Sequence, residues 1–229
     1  MEPSQRILPK QHRYTALLVV LLAALVMQSL RSTVAVDAIA LDMVSAVLAI
    51  AIYFAVFRGT REQRVMAVVL ALVVAIGLLR DAVPAHHERT SALAFQALTA
   101  IYLCAAVAAI LRDLFGDRKP GAQNILGAIC GYLIAGAAFG SINIIAYVLA
   151  PGAYHIDPGV GDLATDWHGR IALFAYYSYT QLVTIGYADV TPLRAPATTL
   201  SMLGAIFGVF YTAVVVAQLV AVAQAEREA

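Results

Sequence analysis

Six long apolar stretches constrain this chain more than any other feature of its sequence. A helix that spans the hydrocarbon core of a bilayer needs about 20 consecutive, mostly apolar residues. The stretches that reach or approach this length are 14–30, 38–57, 65–79, 91–111, 123–150 and 197–222. With 62% hydrophobic and 13% charged residues, the composition also lies far from the roughly 45–50% apolar and about 25% charged residues of soluble domains. The sequence therefore predicts an all-α membrane protein with six transmembrane helices.

The basic residues indicate how the predicted spans are oriented. When the six stretches alternate in direction, ten of these residues fall on one side of the membrane and five on the other. The first group is Arg6, Lys10, Arg13, Arg58, Arg61, Arg64, Arg112, Arg118, Lys119 and Arg227, and the second is Arg31, Arg80, Arg89, Arg170 and Arg194. Because cytoplasmic loops carry the excess, both termini of this multi-pass cell-membrane protein are predicted to be cytoplasmic. The net charge of +1 gives no reason to expect a nucleic-acid partner.

Several functional classes have no motif in the sequence. Cys104 and Cys130 lie within apolar stretches, where a thiol behaves as a small hydrophobe, and they imply neither a disulfide nor a zinc framework. We find no nucleophile with a base, phosphate-binding loop or metal cluster at usable spacing, so neither an enzyme nor a cofactor is expected. The basic N-terminus before 14–30 could be a signal peptide, but that stretch is long for one and lacks a clear cleavage site. We interpret it as a retained span.

A different kind of segment separates the last two spans, from Pro151 to Pro196. Its first half is polar, and its second half, 171–182, is apolar yet too short to cross a bilayer, which is typical of a re-entrant helix. The residues that follow, 184–189, contain a glycine, and Pro192 disfavours a regular helix before the last span. Irregular backbone at membrane depth is tolerated only where protein buries it or where it lines an aqueous cavity. The segment is therefore predicted to be a pore loop.

This loop has residue types suited to binding a dehydrated cation. Several oxygens must replace the water around the ion, and backbone carbonyls repeated by symmetry around one axis can supply them. Gly186 permits the backbone dihedrals that such an arrangement needs. Thr184 adds a hydroxyl oxygen at the inner end, and Asp189 places an acid at the outer mouth. Ile185 and Tyr187 are expected to point away from the axis and hold the loop in place.

Residues 176–192, with the sequence YYSYTQLVTIGYADVTP, resemble the pore helix and selectivity filter of the potassium channel pore-domain family. The resemblance extends more weakly over 123–222, and the first four spans have no part in it. It implies a homotetramer surrounded by membrane lipids, with a pore helix over 171–182 and potassium as the permeating ion. The implied filter residues are Thr184, Ile185, Gly186, Tyr187 and Ala188, whose K⁺ sites would use the first four carbonyls and the Thr184 hydroxyl. Tyr176 and Tyr177 would brace the filter, and Gly208 lies where family members often carry a hinge glycine.

Three residues depart from the family pattern. Ala188 stands where the family has a second glycine, in a backbone conformation that would cost an L-residue roughly 1 to 2 kcal/mol per subunit. Gln181 and Val183 replace residues that are often threonines. Two alternatives to a potassium-selective channel therefore stay open. One is a weakly selective channel for potassium and sodium, and the other is a non-conducting membrane scaffold or accessory subunit.

The chain divides into five predicted segments. They are a cytoplasmic N-terminus 1–13, a four-helix domain 14–111, a cytoplasmic linker 112–122, a pore domain 123–222 and a short cytoplasmic tail 223–229. The pore domain consists of an outer helix, a pore helix 171–182, a filter 184–189 and an inner helix 197–222. The fourth span contains no Arg or Lys, whereas a voltage sensor needs several gating charges, so conventional voltage sensing is not expected. Gating would come from the membrane, the pore, the first four spans or a separate regulatory subunit.

Several ionisable residues outside the loop are candidates for regulation. Asp42 lies within the second span, where a charge suggests function unless a tilted span brings it to the outer end. His155 and His168 map to the outer side, and external acid could act through either of them because histidine changes charge around neutral pH. The pair His86 and His87 lacks further ligands at metal-binding spacing. The acids near the outer mouth, which could concentrate cations or could simply be solvated, are Asp157, Asp162, Asp166 and Asp189.

The fifth span contains glycines at a spacing that favours close helix packing. They form two pairs separated by four residues, Gly127 with Gly131 and Gly136 with Gly140. Small residues four apart lie on one helix face and let another backbone approach it. The fifth span is therefore predicted to be tightly packed.

Overall fold

The computed structural model describes residues 13–30, 38–79, 88–116, 122–164 and 166–228, which are mostly helical. The α-helices within these ranges are α1 Arg13–Leu30, α2 Ala38–Ile52, α3 Gln63–Leu79, α4 Glu88–Gly116, α5 Ala122–Leu149, α6 Trp167–Leu182 and α7 Ala197–Glu228. A π-helical turn, Tyr53–Phe57, prolongs α2, and a 3-10 turn, Gly161–Ala164, precedes α6. Strands β1, Tyr154–Ile156, and β2, Val190–Pro192, pair antiparallel.

Helices occupy each of the six predicted spans and the predicted re-entrant segment. Four of the described helices are long and apolar enough to cross a bilayer, namely Ile39–Phe57, Arg89–Gly116, Gln123–Leu149 and Ala197–Gln218. The other two, Arg13–Gln28 and Gln63–Leu79, are shorter apolar helices. The protein is thus helical, with four helices that have the length and composition of membrane spans.

Three predicted boundaries differ from the observed ones by more than one helical turn. Helix α6 begins at Trp167 rather than 171, because the side chain of Asp166 accepts a hydrogen bond from the amide of Gly169 and caps a polar first turn. Helix α4 runs to Gly116 and so includes the start of the predicted linker 112–122. Helix α7 runs to Glu228 and so includes most of the predicted tail. In each case the helix extends beyond the apolar stretch into residues that include polar ones, at its start in α6 and at its end in α4 and α7.

Some predictions concern residues outside the described ranges. They include the N-terminal segment up to 12 and most of the linker. The individual residues are Arg6, Lys10, Arg31, Arg80, His86, His87, Arg118 and Lys119.

Helix α5 lies at the centre of the fold and packs against α1, α4, α6 and α7. Its glycines make these contacts close, as their spacing predicts. A side chain at Gly136 would meet the ring of Tyr179, and one at Gly140 would meet the backbone of Ala175. The other two glycines face Tyr14 and the Tyr211 hydroxyl. The main core lies where α1, α4 and α5 meet the π-helical turn, around the fully buried Phe57, Tyr102, Ile110 and Ile134.

Two ion pairs lie at the same end of the helical bundle. Arg13 of α1 lies 2.6 Å from Asp113 of α4. Arg112 donates to Glu62 in the loop before α3, and this hydrogen bond holds the pKa of Glu62 below its usual value. Arg13 and Arg112, which charge counting placed on the same side of the membrane, therefore lie at one end of the bundle.

Helix α7 packs directly on the end of α6 at Gly208. A Cβ atom at this position would overlap the backbone carbonyl of Leu182, the last residue of α6. One turn earlier, a Cβ at Gly204 would make only ordinary contacts, 3.7 Å or more from its neighbours. Gly208 therefore has a packing role, which is separate from the hinge role that the resemblance implies.

We expect Gly208→Ala to lower the thermal unfolding midpoint in detergent markedly, because forcing a methyl group against backbone costs about 1–3 kcal/mol. The matched control is Gly204→Ala, which should be neutral or stabilising because alanine has a helix propensity about 1 kcal/mol better than glycine. Equal midpoints for the two variants would contradict this packing role.

Candidate functional site

Helix α6 is held in place on several sides. Leu173, Phe174 and Tyr177 are each at most 2% exposed and pack against α5, β1 and the start of α7. At the first turn, Gly169 lies so close to the carbonyl of Leu163 that a side chain would not fit. This packing fixes the direction in which the C-terminal end of α6 delivers the chain into residues 183–189, which we call the filter loop.

The end of α6 has the hydrogen-bond pattern of a Schellman motif. The amide of Ile185 donates to the carbonyl of Thr180 and the amide of Thr184 donates to the carbonyl of Gln181, each at 2.9 Å. The motif needs a left-handed residue just after the helix, usually glycine. Thr184 takes that conformation with a φ of 58°, which is a genuine outlier for a β-branched residue. The filter loop is therefore strained near its start, at Thr184, which the sequence did not predict.

The backbone dihedrals of the filter loop alternate in sign. Thr184, Gly186 and Ala188 have φ angles of 58°, 60° and 68°, whereas Ile185 and Tyr187 between them do not have positive φ. Alternation between right-handed and left-handed residues turns successive N–H groups toward one side. Each carbonyl points opposite to the N–H of its own planar trans peptide. In a run whose residues alternate between right-handed and left-handed conformations, the carbonyls therefore fall together on the other side.

Ala188 adopts the positive φ that was expected at its position. For an L-residue this conformation costs roughly 1 to 2 kcal/mol, so neighbouring contacts must hold it. Thr191 donates its hydroxyl to the carbonyl of Ala188 at 3.1 Å. The amide of Asp157 donates to the carbonyl of Asp189 at 2.8 Å, and the pairing of β1 with β2 continues from there. The outer end of the filter loop is thus tied to the segment before α6.

Tyr176 connects α6 to the outer half of the filter loop. Its hydroxyl donates to a carboxylate oxygen of Asp189 at 2.7 Å. Its ring stacks on that of Tyr187, with centroids 6.3 Å apart and planes only 3° from parallel. Tyr176 therefore lies where a bracing residue is expected. Tyr177 instead is buried and shares a hydrogen bond with Ser201 of α7, so it acts on the loop only through the placement of α6.

A buried polar network behind α6 was missed at the sequence level. Asn143 of α5 is 2% exposed and donates to the hydroxyl of Ser178 at 3.3 Å. It also accepts from the hydroxyl of Tyr154 on β1, at 2.6 Å. The network joins α5, α6 and the outer sheet through groups that would be costly to leave unpaired. A polar asparagine in the middle of an apolar span is the signal that could have found it.

The filter loop is exposed in a single copy of the chain. Residues 183–188 all belong to the exposed class. The side chains of Ile185 and Tyr187, which were expected to hold the loop in place, are 55% and 61% exposed. Gly186 has no atom within 4 Å of where a Cβ would lie. The loop is therefore held at its two ends rather than along its middle.

The two candidate histidines differ in their surroundings. His155 is exposed on β1, opposite Thr191 of β2. His168 lies in the first turn of α6, with its Nε2 atom 2.9 Å from the Oδ1 atom of Asp42 on α2. Both side chains of this pair are mostly buried, 13% and 20% exposed. The pair connects the predicted four-helix domain to α6 and gives Asp42 a partner that the sequence did not suggest.

The acids near the outer end have local structural partners. Asp166 caps α6, Asp157 accepts from the amide of Gly159 at 2.7 Å, and Asp189 accepts from Tyr176. Among the described residues, no group of three or more His, Cys, Asp or Glu side chains is placed to hold a metal ion.

Comparison with known proteins does not identify the chain. No family model matches it, and no curated protein or solved structure matches it either. The functional inference therefore depends on the filter loop and the helices that hold it.

We expect Tyr176→Phe to speed hydrogen exchange in residues 184–189, because it removes the bond to Asp189, which contributes about 0.5–1.5 kcal/mol, and keeps the ring stacked on Tyr187. The measurement is hydrogen exchange of the purified protein by mass spectrometry. The matched control, Tyr177→Phe, should lower global stability without a selective effect on these residues. The same exchange pattern in both variants would contradict the bracing role of Tyr176.

We expect Asp42→Asn and His168→Gln to be non-additive, because residues in direct contact show coupling energies of about 0.5–3 kcal/mol. The measurement is a double-mutant cycle on thermal unfolding in detergent. Asp42→Asn combined with His155→Gln is the control pair and should be additive. Additivity in both cycles would mean that the Asp42–His168 contact does not contribute to stability.

Proposed function

We propose that this protein is a cation channel of the cell membrane, with potassium as the preferred ion and four copies of the chain around one pore. The observation that carries the proposal is the alternation of φ at Thr184, Gly186 and Ala188. It favours a column of carbonyl oxygens on one side of an exposed loop that follows a short, well-packed helix. The resemblance of residues 176–192 to the potassium channel pore domain is independent support from the sequence.

The carbonyl column suits a dehydrated monovalent cation. The carbonyls of Thr184, Ile185, Gly186 and Tyr187, with the Thr184 hydroxyl, would replace the water shell of the ion. Helix α6 would add the partial negative charge of its C-terminal end, which favours a cation beyond it. Asp189 would then lie at the outer mouth. Repulsion between ions at neighbouring sites would drive each ion on to the next site.

The surfaces that one copy leaves uncovered support a homotetramer. The filter loop is irregular backbone, and at membrane depth such backbone must be buried in protein or line a water-filled cavity. Helix α7 also presents apolar side chains, with Met202 and Phe210 each 65% exposed. Four copies related by rotation would turn their loops toward one axis and cover part of these surfaces. Membrane lipids would cover the rest.

The proposed topology has six spans and cytoplasmic termini. Charge counting supports the orientation, and the pairs Arg13–Asp113 and Arg112–Glu62 are consistent with a single cytoplasmic end. The first four spans would form a domain without gating charges, so the gate would respond to the membrane, the pore or a separate regulatory subunit. External acid is a further candidate stimulus, through His155 or through the contact of His168 with Asp42.

A weakly selective channel for potassium and sodium is the second candidate, and Ala188 favours it. Two L-residues in the filter loop, Thr184 and Ala188, hold a conformation that costs each of them roughly 1 to 2 kcal/mol. Four subunits multiply this strain at the outer mouth. A mouth that relaxes would hold its carbonyls less rigidly around an ion. A non-conducting scaffold is the third candidate, and it predicts that Gly186 tolerates substitution.

We expect the purified protein in liposomes, under opposed potassium and sodium gradients, to pass potassium in preference to sodium. Gly186→Ala should abolish the flux, because it forces a third L-residue into the left-handed run of the filter loop. Gly204→Ala, the same substitution at an unstrained position of α7, is the control and should conduct normally. Ala188→Gly should sharpen selectivity, because it removes strain from the mouth.

Each other outcome of this flux assay points to a different proposal. Little preference for potassium in the wild type, sharpened in Ala188→Gly, would support the weakly selective channel. No flux from protein shown to be tetrameric would favour the scaffold. Wild-type flux that does not change with external pH would contradict acid sensing through either histidine.

A further inference from the structure

A cavity of about 150 Å³ lies behind α6, where helices α1 to α6 meet. Its walls are mostly apolar. Each of the six helices contributes at least one apolar side chain, for example Leu21, Ala49, Val73, Leu103, Ile144 and Ile171. The cavity therefore lies between the helices of the bundle, and α6 forms part of its wall.

One wall of the cavity carries polar side chains without partners. Gln96 and Thr99 lie one turn apart on α4, so they share a face, and both line the cavity. Gln96 is only 2% exposed, and the Oγ1 atom of Thr99 is fully buried with no hydrogen-bond partner. In the part of the chain that the structure describes, no hydrogen bond is formed by the side chain of Gln96 either. One turn further along α4, Tyr102 donates to the carbonyl of Ala49 at 2.7 Å.

Unpaired buried polar groups call for a physical explanation. The Thr99 hydroxyl is such a group, and it costs about 1–3 kcal/mol unless something bonds to it. The Gln96 amide, on the same face of α4, lines the same cavity and is in place to bond to the same occupant. The Gln96 amide can donate and accept, and so can the Thr99 hydroxyl. An occupant with one hydroxyl group would satisfy both. The apolar walls would bind the remainder of the molecule.

The charge around the cavity limits the occupant further. Asp42 also lines the cavity, but its carboxylate is bonded to His168. The other polar residues in the lining, Gln28, Ser45 and Ser141, are uncharged, and so are Gln96 and Thr99. The volume is close to that of an engineered apolar cavity, about 150 Å³, that binds benzene. Ring-sized, uncharged molecules are the class that fits.

We propose that this cavity is a binding site for a small neutral amphiphile, with one aromatic ring in the apolar part and one hydroxyl group bonded to Gln96 and Thr99. Trp167, Ile171 and Tyr179 of α6 form part of the wall. A bound molecule would therefore touch the helix whose end holds the filter loop. Binding itself is a property of the helical bundle and does not depend on the proposed conduction.

The test is fluorine NMR of 4-fluorophenol with the full-length protein in lipid nanodiscs, and fluorobenzene is the apolar control probe. We expect 4-fluorophenol to bind saturably and to be displaced by unlabelled phenol. Replacing Gln96→Leu together with Thr99→Val should weaken its binding at least about fivefold, as expected for two lost hydrogen bonds. The same double variant should leave fluorobenzene binding unchanged.

Two further variants keep the test specific to this cavity. Ala137→Phe, which places a ring in the cavity, should abolish binding of both probes, provided that its thermal unfolding remains cooperative. Thr212→Val, on the exposed side of α7, removes a hydroxyl elsewhere and should change nothing. A signal that rises linearly with concentration and is equal in all variants would mean partition into lipid and would overturn the proposal. Saturable binding of 4-fluorophenol that the Gln96→Leu, Thr99→Val double variant does not weaken would overturn it as well. So would the absence of binding to folded wild-type protein.

Discussion

The hydrogen bond from the amide of Ile185 to the carbonyl of Thr180 is the contact on which the filter loop depends. It ends α6 and turns the chain back, while it satisfies a carbonyl that a helix end would otherwise leave unpaired. The turn requires Thr184 in the left-handed region, and this starts the alternation that continues through Ala188. The end of α6 in turn has its position because Gly208 allows α7 to touch its backbone.

Strained residues persist only where surrounding contacts determine them. In this chain those contacts are at the two ends of the filter loop. The inner end is held by the Schellman motif, and the outer end by Tyr176, the bond from Asp157 and the short sheet. In the middle, a Cβ atom added at Gly186 would meet no atom of a single chain within 4 Å. Strain at both ends and an open middle together explain why the proposed function needs more than one copy.

The helices around α6 contact it through polar groups as well as through packing. Asp42 reaches His168 at the first turn, and Asn143 of α5 bonds to Ser178 in the middle of the helix. The cavity lined by Gln96 and Thr99 lies between these helices. Helix α6 is thus the element through which changes in the surrounding bundle would reach the filter loop.

The sequence by itself determined the positions of the helices, because apolar runs of about 20 residues leave few alternatives in a bilayer. It also predicted an irregular loop at 184–189, and the resemblance to the potassium channel pore domain implied the left-handed conformation at Ala188, which stands where the family has a glycine. The apolar pattern did not predict the start of α6 or the ends of α4 and α7, because these turns include polar residues. Only the tertiary structure decided that Thr184 is strained, that Asp42 pairs with His168, and that Gln96 and Thr99 face one cavity. The conformation of Thr184 follows from the way α6 ends. The other two features join residues far apart in the chain, whose contacts are set by how the helices pack and not by any local pattern.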